Sequence, residues 1–247
     1  MKPFINIGNK KYNGRLDAFY ENIPYSDLLI TLTQNTAVFL NELKNFENFK
    51  HTQSEKFFLL YREKGWNTTM LYSYGFKYVN NCRNFPDTIS LLQPYQNILT
   101  IYFSTLESGT VIKPHFGDTD ATYRIHLGLD IPAPLPDCGI EVGGIQKSWE
   151  TGKTLIFNDA HFHSAWNLST RKRTVLIIDV IRPEFLKRKQ YISAGVLGAM
   201  GVGRTLYPLR IMNKLPDLLL KYLHLSATYI FLFFLFIQYF LRFPKKQ

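Results

Sequence analysis

The chain contains only two cysteines among its 247 residues, Cys82 and Cys138. Two thiols cannot build a disulfide framework, and neither lies at a spacing typical of a zinc site. The first residues also lack the apolar core of a secretory signal. These absences argue against a disulfide-stabilised secreted domain. They favour two ordinary reduced thiols and a catalytic domain in a reducing, cytoplasmic setting.

Acidic residues are scarce at the C-terminal end of the chain. Overall, 29 Lys and Arg outnumber 19 Asp and Glu, which gives a net charge of +10. Residues 182–247 hold eleven Lys and Arg against two acidic residues, so this segment carries all but one of the surplus positive charges. A surplus of positive charge makes nucleic acids and membranes the first partners to consider. Because the rest of the chain is nearly neutral, we predict no nucleic-acid binding and treat the basic tail separately.

Charge is absent from residues 225–241, a run of seventeen residues rich in Phe and Leu. As a helix this run would span about 26 Å, slightly less than a bilayer core of about 30 Å. We predict a membrane helix over residues 223–241, within a basic tail that covers residues 184–247. A helix packed on the body of the protein is the alternative, which the near absence of a polar face disfavours. Basic residues on both sides leave the orientation in a membrane open.

Short β-type segments follow one another from residue 98 onward, broken by Gly, Pro and Asp. The predicted strands cover residues 98–106, 123–131, 139–142, 154–157, 162–166 and 174–180. This spacing favours a mainly-β barrel or sandwich of the jelly-roll type, with helices outside. The best helix candidate is 26–49, where Leu and Phe recur at helical spacing. We therefore predict a mixed or helical flank over 1–65, a β core over 66–183 and the tail.

Two histidines, His115 and His163, lie about fifty residues apart, and each has an arginine shortly after it. Arg124 follows the first by nine residues, and Arg173 follows the second by ten. Imidazole is the commonest protein ligand for iron or zinc, and the arginine fork suits a carboxylate. The pattern therefore indicates a metal and an anionic co-substrate in one site. We predict a non-haem iron oxygenase that uses a 2-oxo acid.

Strand alternation in residues 123–131 predicts where the polar side chains point. Alternate residues lie on opposite faces, so Arg124, His126 and Gly128 share one face, and the apolar residues between them share the other. The apolar set is expected to pack in the core. We predict that Arg124 and His126 form part of a pocket wall.

Matches in order over residues 66–183 resemble the aspartyl/asparaginyl β-hydroxylase family of iron(II)- and 2-oxoglutarate-dependent dioxygenases. They are Cys82 to Thr88, Leu91 and Leu92, Ser104, Gly109, Pro114 and His115, Arg124 to Leu129, Trp149 to Lys153, Phe157 to Asp159, His163, Trp166, Arg173, Asp179, Val180 and Pro183. The resemblance implies a double-stranded β-helix, a cupin-like jelly roll. It also implies iron(II), with 2-oxoglutarate and O₂ as co-substrates.

The resemblance carries roles to particular residues. His115 and His163 correspond to the iron ligands and are the catalytic residues. The family lacks the carboxylate of the common two-histidine-one-carboxylate triad, and here Gly117 stands two residues after His115. Arg173 corresponds to the residue that binds the distal carboxylate of 2-oxoglutarate.

Ser104, Arg124 and His126 correspond to residues that complete co-substrate binding. His126 could instead be a hydrogen-bonded core histidine. His161, on the same predicted strand face as His163, is the rival for the second ligand. For Asp118 we expect an exposed turn rather than a metal role, and for Asp159 a strand-end or loop carboxylate.

Three functions remain open. Hydroxylation of Asp or Asn side chains in a peptide or protein is the leading one. Hydroxylation of a lipid acyl chain or headgroup at a membrane is the alternative, although relatives that act on lipid A show His-x-Asp where this chain has Gly117. The third is a catalytically inactive binding protein, which the intact histidines and arginines disfavour. We expect a membrane-associated enzyme.

Overall fold

The structure is a computed structural model that describes residues 2–7, 10–49 and 65–242. Residues 50–64 of the predicted N-terminal flank, and the last basic residues of the tail, lie outside this range. The strands are β1 Phe19–Tyr20, β2 Trp66–Ser73, β3 Phe76–Lys77, β4 Ile98–Leu106, β5 Thr110–Phe116, β6 Thr122–Asp130, β7 Cys138–Val142, β8 Ile145–Lys147, β9 Thr154–Phe157, β10 Phe162–Asn167 and β11 Arg173–Ile181. The α-helices are α1 Ser26–Gln34, α2 Thr36–Phe49, α3 Val79–Cys82, α4 Pro86–Leu92, α5 Lys189–Leu206 and α6 Asp217–Arg242.

The strands form two antiparallel sheets. The larger sheet has the order β1-β9-β6-β11-β4-β2-β3, and the smaller has the order β5-β10-β7-β8. Consecutive strands along the chain often belong to different sheets, as in a jelly roll. The fold is thus mainly β and cupin-like, as predicted, with helices around it.

Alternation along the central strands of the larger sheet separates two apolar cores. Phe103 and Leu176 face the helical side, where they pack with Leu32 and Phe39 of α1 and α2. Their neighbour Tyr102 faces the smaller sheet with other residues of opposite parity. Strands buried on both faces are almost continuously apolar, which explains why β4 and β11 stand out in the sequence.

The predicted strands agree closely with the observed ones, and two differences matter. The run around His115, which reads as a loop because of Pro114, is part of β5. Pro114 is tolerated there because β5 is the edge strand of its sheet. The predicted helix over 26–49 is divided at Asn35 into α1 and α2. The Asn35 side-chain amide donates to the Thr31 carbonyl, a local bond that competes with the helix.

The C-terminal segment packs on one end of the β core. Buried residues of α5, among them Ile192 and Val196, share a core with Leu99 of β4, Ile181 of β11 and Leu235 of α6. Residues Asp217–Gln238 of α6 meet the length and composition expected of a membrane span, with a mean hydropathy of 1.7, and only 17% of this stretch is buried in the protein. The basic C-terminal tail is therefore attached to the body of the protein through α5.

Candidate active site

A cavity between the two sheets collects the predicted functional residues. Its described lining is Trp66, Tyr102, Ser104, Ile112, His115, Arg124, His126, Ile140, Phe157, His163, Ala165, Arg173 and Ile177. All of the residues predicted to bind iron or 2-oxoglutarate lie in this lining. They come from β4, β5, β6, β10 and β11, so both sheets contribute.

His115 and His163 lie opposite each other on the paired strands β5 and β10. Their ring centroids are 4.2 Å apart. In each histidine, Nδ1 lies 2.8 Å from the backbone carbonyl two residues earlier, that of Lys113 or His161. A carbonyl only accepts hydrogen bonds, so this contact assigns the proton to Nδ1 and the lone pair to Nε2. The fixed tautomer is the arrangement that metal-binding histidines adopt.

Both histidines are held in the neutral form that a metal requires. Burial and the neighbouring His163 lower the pKa of His115 to about 3. Burial is also the main cause that lowers the pKa of His163 to about 4. Within the described residues, no further His, Cys, Asp or Glu completes a three-residue metal cluster. The described lining therefore offers two imidazoles, and the Asp159 carboxylate that lies 3.5 Å from His163 Nε2 is paired with Arg124.

Arg173 is a buried cation that has no acidic partner among the described residues. Its side chain is only 1% exposed, and Nη1 donates to the Ser104 carbonyl at 3.3 Å. The guanidinium lies 4.5 Å from the centroid of the Trp149 ring. Its Nε has no hydrogen-bond partner, and no carboxylate in the described part of the chain forms an ion pair with it. Burial lowers its pKa to about 10, so it stays charged near neutral pH.

His126 presents a second donor without a partner. Trp149 Nε1 donates to His126 Nδ1 at 3.1 Å, and because an indole can only donate, Nδ1 must carry the lone pair. The proton of the neutral ring is then on Nε2, which is buried and has no hydrogen-bond partner in the part of the chain that the structure describes. Burial lowers the pKa of His126 well below its usual value, so the ring stays neutral.

Two tryptophans that the sequence reasoning did not assign to the site support these donors. Trp149 contacts both Arg173 and His126. Trp66 Nε1 donates to Ser104 Oγ at 3.0 Å, which leaves the Ser104 hydroxyl proton available to another acceptor. The signal that could have found them is the scarcity of tryptophan, since the chain has only three.

Arg124 lines the cavity, but its guanidinium is already engaged. Nε and Nη2 donate to the two carboxylate oxygens of Asp179 at 2.7 and 2.9 Å, and Nη1 pairs with Asp159. Strand pairing explains this contact, because Arg124 and Asp179 are register partners on β6 and β11. Its predicted contact with the co-substrate thus competes with two buried carboxylates that already bind it.

The structure also locates the other candidates from the sequence, which are Asp159, Asp118 and His161. Asp159 is the expected loop carboxylate, but it is buried, accepts from the Asp118 amide and lies 3.5 Å from His163 Nε2. Asp118 is not the exposed turn residue we expected: it is partly buried, and Tyr74 Oη donates to it at 3.2 Å. Burial and Asp159 raise its pKa to about 7. His161 lies before β10, where its Nε2 contacts the Leu16 carbonyl at 2.8 Å outside the cavity.

Comparison with known proteins gives a family match. Residues 31–183 match the model of the family described as aspartyl/asparaginyl beta-hydroxylase, which is more than half of the chain. One similar protein is the ornithine lipid ester-linked acyl 2-hydroxylase of Rhizobium tropici, 36% identical over 48% of this chain and 42% of its own length. Another is the aspartyl/asparaginyl beta-hydroxylase of Mus musculus, 35% identical over 52% of this chain and 18% of its own.

The aspartate beta-hydroxylase domain-containing protein 2 of Xenopus tropicalis is 31% identical over 62% of this chain and 44% of its own length. The chain thus spans less than half the length of these curated relatives. Among solved structures, a viral collagen prolyl hydroxylase from Paramecium Bursaria Chlorella virus-1 aligns with 58% of this chain and 91% of its own, at 10% identity and a TM-score of 0.34.

Proposed function

The chain belongs to the aspartyl/asparaginyl β-hydroxylase family, and from that membership we propose that it is an iron(II)- and 2-oxoglutarate-dependent hydroxylase. The observation that carries the proposal is the buried Arg173 guanidinium, which forms no ion pair within the described residues and lies in the same cavity as the His115–His163 pair. A buried charge without a partner is strongly unfavourable. An anionic co-substrate beside a metal would resolve that cost.

The residues present fit both groups. His115 and His163 would hold iron(II) through Nε2, since their Nδ1 atoms are bonded to backbone carbonyls. Arg173, His126 and the Ser104 hydroxyl would together donate to the distal carboxylate of 2-oxoglutarate. When bound, iron and 2-oxoglutarate would supply the chemistry: one oxygen atom of O₂ enters a C–H bond, and the other leaves in succinate as CO₂ is released.

The protein's own contribution would be positioning and exclusion of water. Trp149 packs against the Arg173 guanidinium and fixes the tautomer of His126. Ile112 and Ala165 line the cavity with other apolar side chains, which would keep bulk water from the reacting C–H bond. We propose that Arg124, through Asp159 and Asp179, acts as a positioning residue for the loop before His163.

Two substrate classes remain candidates, and one observation favours the lipid. Asp or Asn side chains in a peptide or protein are the family's name-giving substrate. A carboxylate substrate would need a cation besides Arg173, yet the second arginine of the described lining, Arg124, is already paired with two aspartates. The rest of that lining is mainly apolar, which suits an acyl chain. The similarity to a lipid acyl hydroxylase supports the same substrate.

The experiment is a comparison of cells that express the intact chain with cells that express the His115→Ala/His163→Ala variant. Lipid extracts are analysed by mass spectrometry, and the purified proteins are assayed for succinate formation from 2-oxoglutarate. A lipid that gains one oxygen atom only with the intact chain supports a lipid hydroxylase. Succinate formation without any lipid change would redirect the search to peptide Asp and Asn. If the intact chain forms no succinate in the presence of iron, the proposed function is contradicted.

A further inference from the structure

Helix α6 exposes an apolar face and turns several of its polar side chains toward the body of the protein. One stripe, which we call the docked face, packs on the body and comprises Leu220, His224, Thr228, Phe231, Leu235 and Gln238. The opposite stripe, the outer face, comprises Leu218, Tyr222, Tyr229, Phe233, Phe236 and Phe240, and each of these is between 58% and 63% exposed. A surface helix normally turns its polar side chains outward.

The polar side chains of the docked face have partners in the body. His224 Nε2 lies 2.8 Å from the Gly195 carbonyl of α5. Gln238 accepts from the Lys77 amide at 2.9 Å and donates to the Gly75 carbonyl at 2.8 Å, both in the β2–β3 hairpin. These contacts fix α6 near both of its ends.

Close approach of the backbones adds to this attachment. A Cβ atom at Gly198 of α5 would lie 2.9 Å from the Thr228 amide nitrogen, which leaves no room for a side chain. Glycines at such positions let two helices pack closely. Helix α6 is therefore attached to the body along its length, and the outer face is turned away from the body.

Six exposed aromatic and aliphatic side chains in one stripe need a cover, because soluble monomers rarely expose apolar patches of this length. From Leu218 to Phe240 the stripe extends for about 33 Å. Exposed apolar residues continue beyond it at Tyr207 and Leu209. Exposed cations, among them Arg210, Lys214 and Lys221, flank this surface. An apolar stripe flanked by positive charge matches an anionic lipid surface.

We propose that the outer face of α6 is a membrane-docking surface that lies in the plane of a bilayer with anionic headgroups. A helix that crosses the bilayer is disfavoured because the docked face spans about 27 Å between Leu220 and Gln238. Crossing would bring the flanking parts of the body, including Lys77 of the β2–β3 hairpin, into hydrocarbon, where exposed polar groups are costly. In-plane docking covers the outer face and leaves the body in water.

The same contacts fix the docking surface relative to the candidate active site. Tyr74 shares a core with Leu235 of α6, and its hydroxyl donates to Asp118 in the loop that follows β5. Ile5 pairs with Thr119 of that loop and contacts α5 at Gly195. A bilayer on the outer face would therefore lie at a fixed position relative to the strand that carries His115. This inference does not depend on the proposed enzymatic activity.

The first test measures co-flotation of the full-length protein with vesicles, without iron or 2-oxoglutarate. Vesicles of phosphatidylcholine alone are compared with vesicles of equal parts phosphatidylcholine and phosphatidylglycerol. We expect stronger binding to the anionic vesicles and a partial loss at high salt. The outer-face variant Tyr229→Ser/Phe233→Ser/Phe236→Ser should bind about tenfold less or weaker still.

A matched control carries Val111→Ser, Ile145→Ser and Leu168→Ser, three exposed apolar positions in or beside the smaller sheet. This variant should bind vesicles as the unchanged protein does. Circular dichroism and the melting temperature show whether each variant is folded. Equal binding of the outer-face variant would overturn the proposal. So would an unbound protein that sediments as a dimer and becomes a monomer in the outer-face variant, because a second copy would then cover the stripe.

The second test separates in-plane docking from crossing. A fluorophore is attached to cysteine in the variants Leu218→Cys, Tyr229→Cys and Phe240→Cys, and its depth is measured with lipids that carry quenchers at defined positions. The native Cys82 and Cys138 are buried, which limits background labelling. In-plane docking predicts the same shallow depth at all three positions. A central position for residue 229, with residues 218 and 240 near opposite interfaces, would overturn the proposal.

Discussion

The cavity and the outer face of α6 depart from ordinary protein chemistry in opposite ways. The cavity buries two polar groups, Arg173 Nε and His126 Nε2, that have no hydrogen-bond partner among the described residues. The outer face exposes apolar side chains that the described part of the chain leaves uncovered. Each departure points to something that the chain binds, because folded proteins rarely tolerate either one. Enclosed donors suit a small anion beside a metal, whereas an extended stripe suits a surface.

The largest expected effect is on the metal side of the cavity. The double variant His115→Ala/His163→Ala should reduce iron-dependent succinate formation by about a thousandfold or more, because both imidazoles that would hold the metal are removed. His161→Ala is the matched control, since His161 lies outside the cavity lining. Turnover that survives in the double variant would remove both histidines from the metal site.

The second prediction concerns the buried guanidinium of Arg173. Arg173→Gln should raise the KM for 2-oxoglutarate by about a hundredfold, since a charged hydrogen bond to the carboxylate contributes about 2–3 kcal/mol. The melting temperature of the ligand-free protein should not fall, because the variant removes a buried charge that has no acidic partner within the described residues. Arg171→Gln, at an exposed neighbour, should change neither quantity. A normal KM in Arg173→Gln would mean that the cavity binds its anion elsewhere.

A third experiment contrasts the unpaired donors with the paired network beside them. Asp179→Asn should lower the free energy of unfolding by about 3 kcal/mol, because it breaks a buried two-pronged ion pair with Arg124. Asp118→Asn should cost much less at pH 6, because the Asp118 pKa is raised to about 7 and the carboxyl is already mostly protonated there. Urea denaturation measures both. Equal losses would indicate that the ion pair contributes nothing beyond what a neutral group does.

The smallest expected effect concerns pH. The lowered pKa values of His115, about 3, and His163, about 4, mean that protons compete with a metal only in acid. Anaerobic titration with Fe(II) should therefore show less than about a twofold change in affinity between about pH 7.5 and 5.5. Two imidazoles with the ordinary pKa of about 6.5 would lose about a hundredfold over that range. A decline that begins near pH 7 would show that the rings are more exposed to water than the structure has them.

The sequence predicted much of the β core because strand burial is visible in it. Strands β4 and β9 coincide with the predicted ranges, and the alternation of β6 correctly separates Arg124 and His126 from the core residues between them. The strand β5 was missed because Pro114 interrupts its pattern, and the edge position that tolerates a proline is a property of the sheet. The division at Asn35 was missed because a local side-chain bond outweighs the helical period.

Arg124 and Arg173 show what local pattern cannot distinguish. Both follow a histidine at a similar distance, and both line the cavity. One is neutralised by Asp159 and Asp179, and the other has no acidic partner in the described chain. That difference depends on two residues that lie 35 and 55 positions away from Arg124 along the chain. Pairing across strands, rather than residue type, determines which arginine can accept a ligand.

By itself, the sequence determined the family and the mainly-β core, and it singled out the histidines and arginines that line the cavity, because these depend on residue type, order and alternation. Only the tertiary structure decided that His115 and His163 face each other across two strands and that their Nε2 atoms carry the lone pairs. It also decided that α6 attaches to α5 by one face and exposes the other. These properties arise from contacts between residues far apart in the chain, which no local pattern contains.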